Sequence, residues 1–173
     1  MTDQPITEIR PRRDSDLPSL ARLLVEVHER DGYPVEGVAD PEAWLKSDRL
    51  LGAWVAERAG TPVGHVVLTR PGTGDDAFRL WAEQSGASAD GVAVLGRLFV
   101  SSSARGQHLG RRLTTTATQE ANRLGRRPVL DVMAKDVAAI RTYEVLGWTC
   151  LGQFCHRFAG GRTEPALAYV SAT

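Results

Sequence analysis

The chain reads as an α/β protein of one domain, and three observations carry that reading. Short apolar or alternating runs of strand length are interleaved with segments whose apolar residues recur at helical spacing. Residues 97 to 113 pass from an apolar strand through a glycine-containing turn into an amphipathic helix. The length, 173 residues, suits a single domain spanning 1–173, with no interdomain linker, repeat or low-complexity tract.

Ile6 to Arg10 reads as a first strand. Asp14 or Ser15 can cap a helix with Leu17, Leu20, Leu24 and Val27 on one face, broken at Asp31-Gly32-Tyr33-Pro34. A second short helix begins at Pro41 and contains Trp44 and Leu45. Trp54 to Arg58 and Val63 to Thr69 form a hairpin around Ala59-Gly60-Thr61-Pro62. Pro71 to Asp76 is a turn-rich loop, and Phe78 to Gln84 has room for one helical turn. Val92 to Val100 is the central strand. The next helix carries Leu109, Leu113, Ala117, Ala121 and Leu124 and ends at Gly125. Val129 to Met133 is a strand, Asp136 opens a helix running to Gly147, and Trp148 to Phe154 and Ala166 to Val170 complete the sheet.

Hydrophobic residues make up 42% and charged residues 24%, ordinary values for a soluble globule. The formal net charge is zero, which argues against general nucleic-acid binding. Arg105 to Arg127 holds six arginines against one acid, Glu120; this suits one phosphate group and a solvated helix face better than a nucleic-acid stripe. Only two cysteines occur, Cys150 and Cys155. Strand alternation puts them on opposite faces, so no disulfide is expected, and no metal spacing is present. The N-terminus lacks an apolar signal core and no run reaches membrane-spanning length. A cytoplasmic protein without membrane contact is expected.

Arg105-Gly106-Gln107-His108-Leu109-Gly110-Arg111 is the most telling segment. A turn that opens a helix aims backbone N–H groups outward, and the helix dipole adds positive potential. Glycine in a first helical turn costs about 1 kcal/mol against alanine, a cost met where a ligand approaches the backbone closely. With Arg105, Arg111 and Arg112 nearby, the chemistry requested is a diphosphate. Gly72-Thr73-Gly74-Asp75-Asp76-Ala77 fits a dinucleotide fingerprint only in letters, because it follows Pro71 rather than a strand and puts two acids where pyrophosphate would lie.

The 105–110 segment resembles the acyl-CoA motif of the GNAT acetyltransferases, Arg/Gln-x-x-Gly-x-Gly/Ala, with Arg105 and Gly110 at its ends and His108 in place of the first glycine. Asp136-Val-Ala-Ala-Ile-Arg-Thr-Tyr143-Glu-Val-Leu-Gly147-Trp148 resembles the late block of that family, Asn-x-x-Ala-Ile-x-x-Tyr-Glu-x-x-Gly-Phe, with Asp136 for Asn and Trp148 for Phe. The resemblance implies an α/β (α+β) fold: a mixed β-sheet with helices on both faces whose fourth and fifth strands splay apart to admit acetyl-CoA. It implies cofactor contacts at Phe99, Val100, Arg105, Gly106, Gln107, His108, Leu109, Gly110, Arg111, Asp136 and Tyr143. It further implies an oxyanion-binding N–H at Val100 and a general acid at Tyr143. Read from spacing alone, Phe99, Val100 and Tyr143 are core residues and Asp136 is a helix cap.

The residues do not single out a general base; Glu57, His65, Glu83 and His108 are candidates, and a water chain serves equally well. Asp31, Tyr33, Glu36 and Trp44, with His65, are candidates for contact with a cationic substrate, or else form a solvated loop around packed side chains. The expected activity is transfer of an acetyl group from acetyl-CoA to a primary amine of a small molecule by direct attack in a ternary complex, without a metal. A protein or peptide N-acetyltransferase of the same fold and a non-catalytic acyl-CoA-binding module are the alternatives. A homodimer is left open.

Overall fold

A computed structural model describes residues 6–173. Seven strands form one sheet in the order β1-β2-β3-β4-β5-β7-β6. They are β1 (Thr7–Pro11), β2 (Leu50–Arg58), β3 (Thr61–Thr69), β4 (Val92–Val100), β5 (Arg127–Met133), β6 (Thr149–Arg157) and β7 (Thr163–Val170). Five helices connect them: α1 (Leu17–Asp31), α2 (Pro41–Leu45), α3 (Asp76–Ser85), α4 (Leu109–Arg123) and α5 (Val137–Val145). β4 and β5 are parallel and the other neighbours antiparallel, so the sheet is mixed as expected.

The β2–β3 turn is Ala59–Gly60, with both residues at positive φ (50° and 76°), the conformation that matches the twist of a two-residue hairpin. Pro62, expected in the turn, lies within β3. α3 is a full ten-residue helix where the sequence suggested one turn. Its Ala77, Phe78, Leu80 and Trp81 pack on Val92, Val94, Val129 and Ala168, so tertiary burial stabilises a segment whose own periodicity is short. The expected side-chain cap at Asp14 or Ser15 is not made. Asp16 is the acid that matters: it accepts from the Arg13 N–H (2.7 Å) and from Arg10 on β1 (2.8 Å), and Arg10 also donates to Glu57 on β2 (2.9 Å). The Arg10 hydrogen bonds hold the Asp16 carboxyl below its ordinary range.

One face of the sheet packs on α4 and α5 through Leu109, Leu113, Ala117, Leu130, Val132 and Tyr143. The other carries α1 and α2 at one end, around Leu20, Leu24, Leu45, Val55 and Phe99, and α3 at the other. The space between these two clusters lies over β4 and β5. A bulge in β6 at Cys150–Gly152 adds a residue, so Cys150 and Cys155 oppose Tyr169 and Pro165, four apart on β7. Both cysteines therefore share a face, not opposite faces; they are free and exposed. No helix among the described residues is long and apolar enough to cross a membrane.

α4 approaches β3 closely because Gly64 has no side chain: a Cβ there would sit 3.1 Å from Leu113 Cδ1 and 3.3 Å from the Ala56 Cβ. Gly64→Val should lower unfolding stability by about 1–3 kcal/mol through overpacking; denaturant titration checks this, and an unchanged midpoint would contradict the packing account.

Candidate active site

β4 and β5 pair only over Val92–Val94 and Arg127–Val129. Beyond Val94 they separate, and β5 continues against β7. The gap opens into a cleft of about 860 Å³ that reaches Gly110, Asp136 and Tyr143 at one end and Glu36, Arg49, Asp75 and His156 at the other. The size suits a ligand of cofactor dimensions.

At the first end, Gly106 (φ 77°) and His108 (φ 55°) turn the chain into α4. The first helical bond is Arg112 N–H to His108 O (3.0 Å). The N–H groups of residues 106 through 111 have no protein acceptor among the described residues. A row of unpartnered donors at a helix N-terminus fits a diphosphate. A Cβ at Gly110 would meet no heavy atom within 4 Å, so the protein itself does not require glycine there; the vacant space belongs to the cleft. Leu109 contributes only its backbone, because its side chain is buried in the core. His108 is exposed and lies outside the cleft wall, as does Arg111. Arg112, expected to add positive charge at this spot, instead reaches β1 and donates to Thr7 O (3.0 Å). Arg105 lines the cleft and pairs with Asp31 at the end of α1.

The wall of the gap is β4. Ser101 N–H donates to Val63 O (2.8 Å), and Val100 stands opposite Gly64. In an antiparallel pair the hydrogen-bonded positions alternate, so the Val100 N–H points away from β3 and into the gap. A bulge sits earlier than the strand end, at Arg97–Leu98, with Arg97 at φ 50°. Phe99 is buried against His65, Trp44 and Tyr33 and also borders the cleft.

Across the gap, Tyr143 on α5 packs between Trp148 (5.8 Å) and Tyr169 (6.2 Å) and is only 5% exposed. Its hydroxyl has no hydrogen-bond partner among the described residues and it lines the cleft. Burial, helped by the charges of Asp131 and Asp136, pushes its pKa well up, so the phenol stays protonated near neutrality. Asp136 stands at the α5 N-cap position but makes no side-chain cap bond. It turns to the cleft instead, and burial raises its pKa.

None of the four residues considered as a base lines the cleft. Glu57 is held by Arg10, and Glu83 pairs with Arg79 on the surface of α3. His65 is fully buried: its Nδ1 contacts Arg97 O (2.9 Å) and its Nε2 contacts Arg12 Nη1 (3.0 Å). Arg12 can only donate, so Nε2 accepts and Nδ1 carries the proton. Burial pushes its pKa down to about 3. His65 is thus a neutral brace for the bulge, with no nitrogen left for substrate. Sequence reasoning missed Asp131. It is the one acid in the apolar run of β5, and it is exposed where it opens into the cleft. The protein mass around the cleft still desolvates its carboxyl and raises the pKa, against a lowering by nearby His156. A lone acid interrupting an apolar strand was the available signal. Tyr33, Glu36 and Trp44 do border the cleft, and Tyr33 and Trp44 stack edge to face at 5.9 Å.

Comparison with known proteins identifies the family and the fold. Residues 17–148 match the model of the acetyltransferase (GNAT) family, and the chain belongs to that family. No curated protein matches it by sequence. Among solved structures it is similar to YncA, a putative acetyltransferase of Salmonella typhimurium with acetyl-CoA (19% identity, 97% of this chain and 94% of that one, TM-score 0.69). It is also similar to a ribosomal-protein-alanine N-acetyltransferase of Brucella melitensis (22%, 96% and 99%, 0.71). Arabidopsis thaliana NAA60 in complex with acetyl-CoA is a third (18%, 95% and 97%, 0.72).

Two outcomes follow from the turn. Gly110→Val should leave unfolding stability within about 1 kcal/mol while abolishing measurable acetyl-CoA binding by calorimetry; normal affinity would remove the diphosphate from this turn. His108→Gly relieves a left-handed residue worth about 1–2 kcal/mol, partly offset by unfolded-state entropy, so stability should hold or rise by up to about 1 kcal/mol with acetyl-CoA affinity kept. A large loss of turnover at normal affinity would instead give His108 a part in the chemistry.

Proposed function

We propose that this chain is an acetyl-CoA-dependent N-acetyltransferase that acetylates a primary amine of a small molecule by direct attack in a ternary complex. The observation that carries the reading is the open gap between β4 and β5. It joins a diphosphate-compatible turn to a pocket where Tyr143 and Asp131 face the same space from α5 and β5.

In this reading the N–H groups of residues 106 through 111 and Arg105 hold the diphosphate of acetyl-CoA, and the acyl arm follows β4. The Val100 N–H donates to the carbonyl oxygen as negative charge develops there, a role whose loss elsewhere costs about 3 kcal/mol. Asp131 takes the ammonium proton. Its raised pKa makes its carboxylate a better base than an ordinary one. The amine then attacks the thioester carbon, and the C–S bond breaks as the C–N bond forms. Tyr143 supplies the proton to the leaving sulfur, and the proton that the acylated nitrogen sheds restores the phenol; its raised pKa keeps that proton available.

A protein or peptide acceptor is the second reading, motivated by two structural neighbours, the ribosomal-protein-alanine N-acetyltransferase and NAA60. Thiol release from acetyl-CoA, screened over small amines and over peptides, separates the two. Tight CoA binding without thiol release on either panel would favour a binding module.

Tyr143→Phe removes only a hydroxyl, so turnover should fall about 10²-fold, the low end for a general acid, because a thiolate already leaves fairly well. Acetyl-CoA affinity should stay within about twofold. Full turnover with chemistry rate-limiting would return Tyr143 to packing alone.

Asp131→Asn should lower kcat/KM about 10²-fold and remove the loss of activity seen as pH falls through a pKa above the ordinary carboxylate range. The stability effect has the opposite sign. A carboxyl whose folded pKa is raised loses stability as pH rises from its unfolded to its folded value. Asp131→Asn should therefore have a higher Tm than wild type at pH 7, with the difference shrinking toward pH 4. A pH-independent Tm difference, with the acid limb of activity intact, would remove Asp131 from the role.

A further inference from the structure

The arginines around the cleft are neutralised by partners, with one exception. Arg49 pairs with Asp75 (2.8 Å), and Arg105 pairs with Asp31. Arg97 has no ion pair or hydrogen bond for its guanidinium among the described residues, although it is half-buried and lines the cleft. It lies over the face of Trp44, 5.5 Å from the guanidinium carbon to the ring centroid. Such stacking orients a guanidinium and leaves its edge N–H donors open. Burial lowers its pKa, though an arginine stays charged. Glu36 and Asp75, on the same cleft, act on it without forming an ion pair, so a half-buried guanidinium still gains from a ligand anion in direct contact.

The position is also braced. Arg97 sits in the β4 bulge at φ 50°, a conformation that a long side chain adopts only where its surroundings hold it. Its carbonyl accepts from His65 Nδ1 (2.9 Å), and Arg12 Nη1 donates to His65 Nε2 (3.0 Å) and Leu45 O (2.8 Å). This relay fixes the Arg97 backbone three residues before Val100, about 10 Å along the strand, and Trp44 orients the guanidinium. Asp131, on the neighbouring strand, offers the cleft an opposite charge.

We infer that the acceptor is an amine that also carries a carboxylate, a free amino acid or close analogue, and that Arg97 binds this carboxylate as a specificity-determining residue. The inference rests on the acetyltransfer reading above and narrows its substrate class. The zwitterion lies with its ammonium group toward Asp131 and its carboxylate on Arg97, in the forked geometry an arginine presents to a carboxylate. A polyamine would meet repulsion at Arg97. A protein N-terminus has an amide where the carboxylate should be.

The test pairs binding with turnover. Binding of amino acids and of their primary amides to the protein saturated with CoA is measured by calorimetry, and thiol release from acetyl-CoA is measured on the same panel. At least one free amino acid should bind at least tenfold more tightly than its amide and show at least a tenfold advantage in kcat/KM, carried mainly by KM. Arg97→Gln should collapse this acid-to-amide ratio toward one, and Arg97→Lys should restore part of it. Carboxylate-dependent binding without thiol release would overturn the acetyltransfer reading and leave the carboxylate site standing. Thiol release that is equal for acids and amides, or an unchanged ratio in Arg97→Gln, would overturn the carboxylate site and leave acetyltransfer standing. If no amino acid binds better than its amide, the inference fails whatever the turnover.

Discussion

The parting of β4 and β5 beyond Val94 is the constraint on which the rest of the structure depends. Parallel neighbours in the middle of a sheet normally exchange hydrogen bonds along their whole length, and buried backbone donors left without partners are costly. Here β5 recovers its bonds on the other side by pairing with β7, while β4 keeps β3. Only the inner edges are left open, and the Val100 N–H lies on one of them. The gap is therefore a defect that the flanking strands make tolerable, and a bound ligand can satisfy it.

Two supports keep the gap in shape. On one face, α4 lies tight on β3 over Gly64, which fixes where its N-terminal turn stands relative to β4. On the other, His65 is buried as a neutral ring that braces the bulge from beneath. The bulge re-aims Arg97 into the cleft, and the turn aims its N–H groups at the opposite end. Between these ends Asp131 and Tyr143 hold protons above their ordinary values because the walls disfavour their charged forms. One physical condition, desolvation around a strand gap, thus acts on both the proposed binding groups and the proposed proton-transfer groups.

Much of this was legible in the sequence. The turn at 105–111 and the block at 136–148 are local signals, in which neighbouring residues build their own geometry, and both led to the observed elements. The strands were read short at their ends, since Thr149–Arg157 and Thr163–Val170 continue into positions stabilised only by pairing with each other. α3 was underestimated because its burial depends on β5 and β7, far away in the chain. The two cysteines were assigned to opposite faces because a one-residue bulge at Gly152 leaves no mark in an alternating pattern. Asp131 was passed over inside a strand that otherwise reads as core, and the candidate bases chosen instead are engaged by Arg10, Arg79, Arg12 and the Arg97 carbonyl or lie outside the cleft. Which side chains meet across the gap depends on register, and register is a long-range property.

The central claim is that the unpartnered N–H groups of residues 106 through 111 receive the diphosphate at the mouth of the gap. Amide hydrogen exchange, resolved by residue and compared with and without acetyl-CoA, tests it most directly. The account predicts strong slowing at these amides and at Val100 with acetyl-CoA, and slowing at Val100 without the turn when a pantetheine thioester lacking the diphosphate is used at saturation. Saturating acetyl-CoA that leaves the turn amides exchanging as before, while protecting another segment, would contradict it.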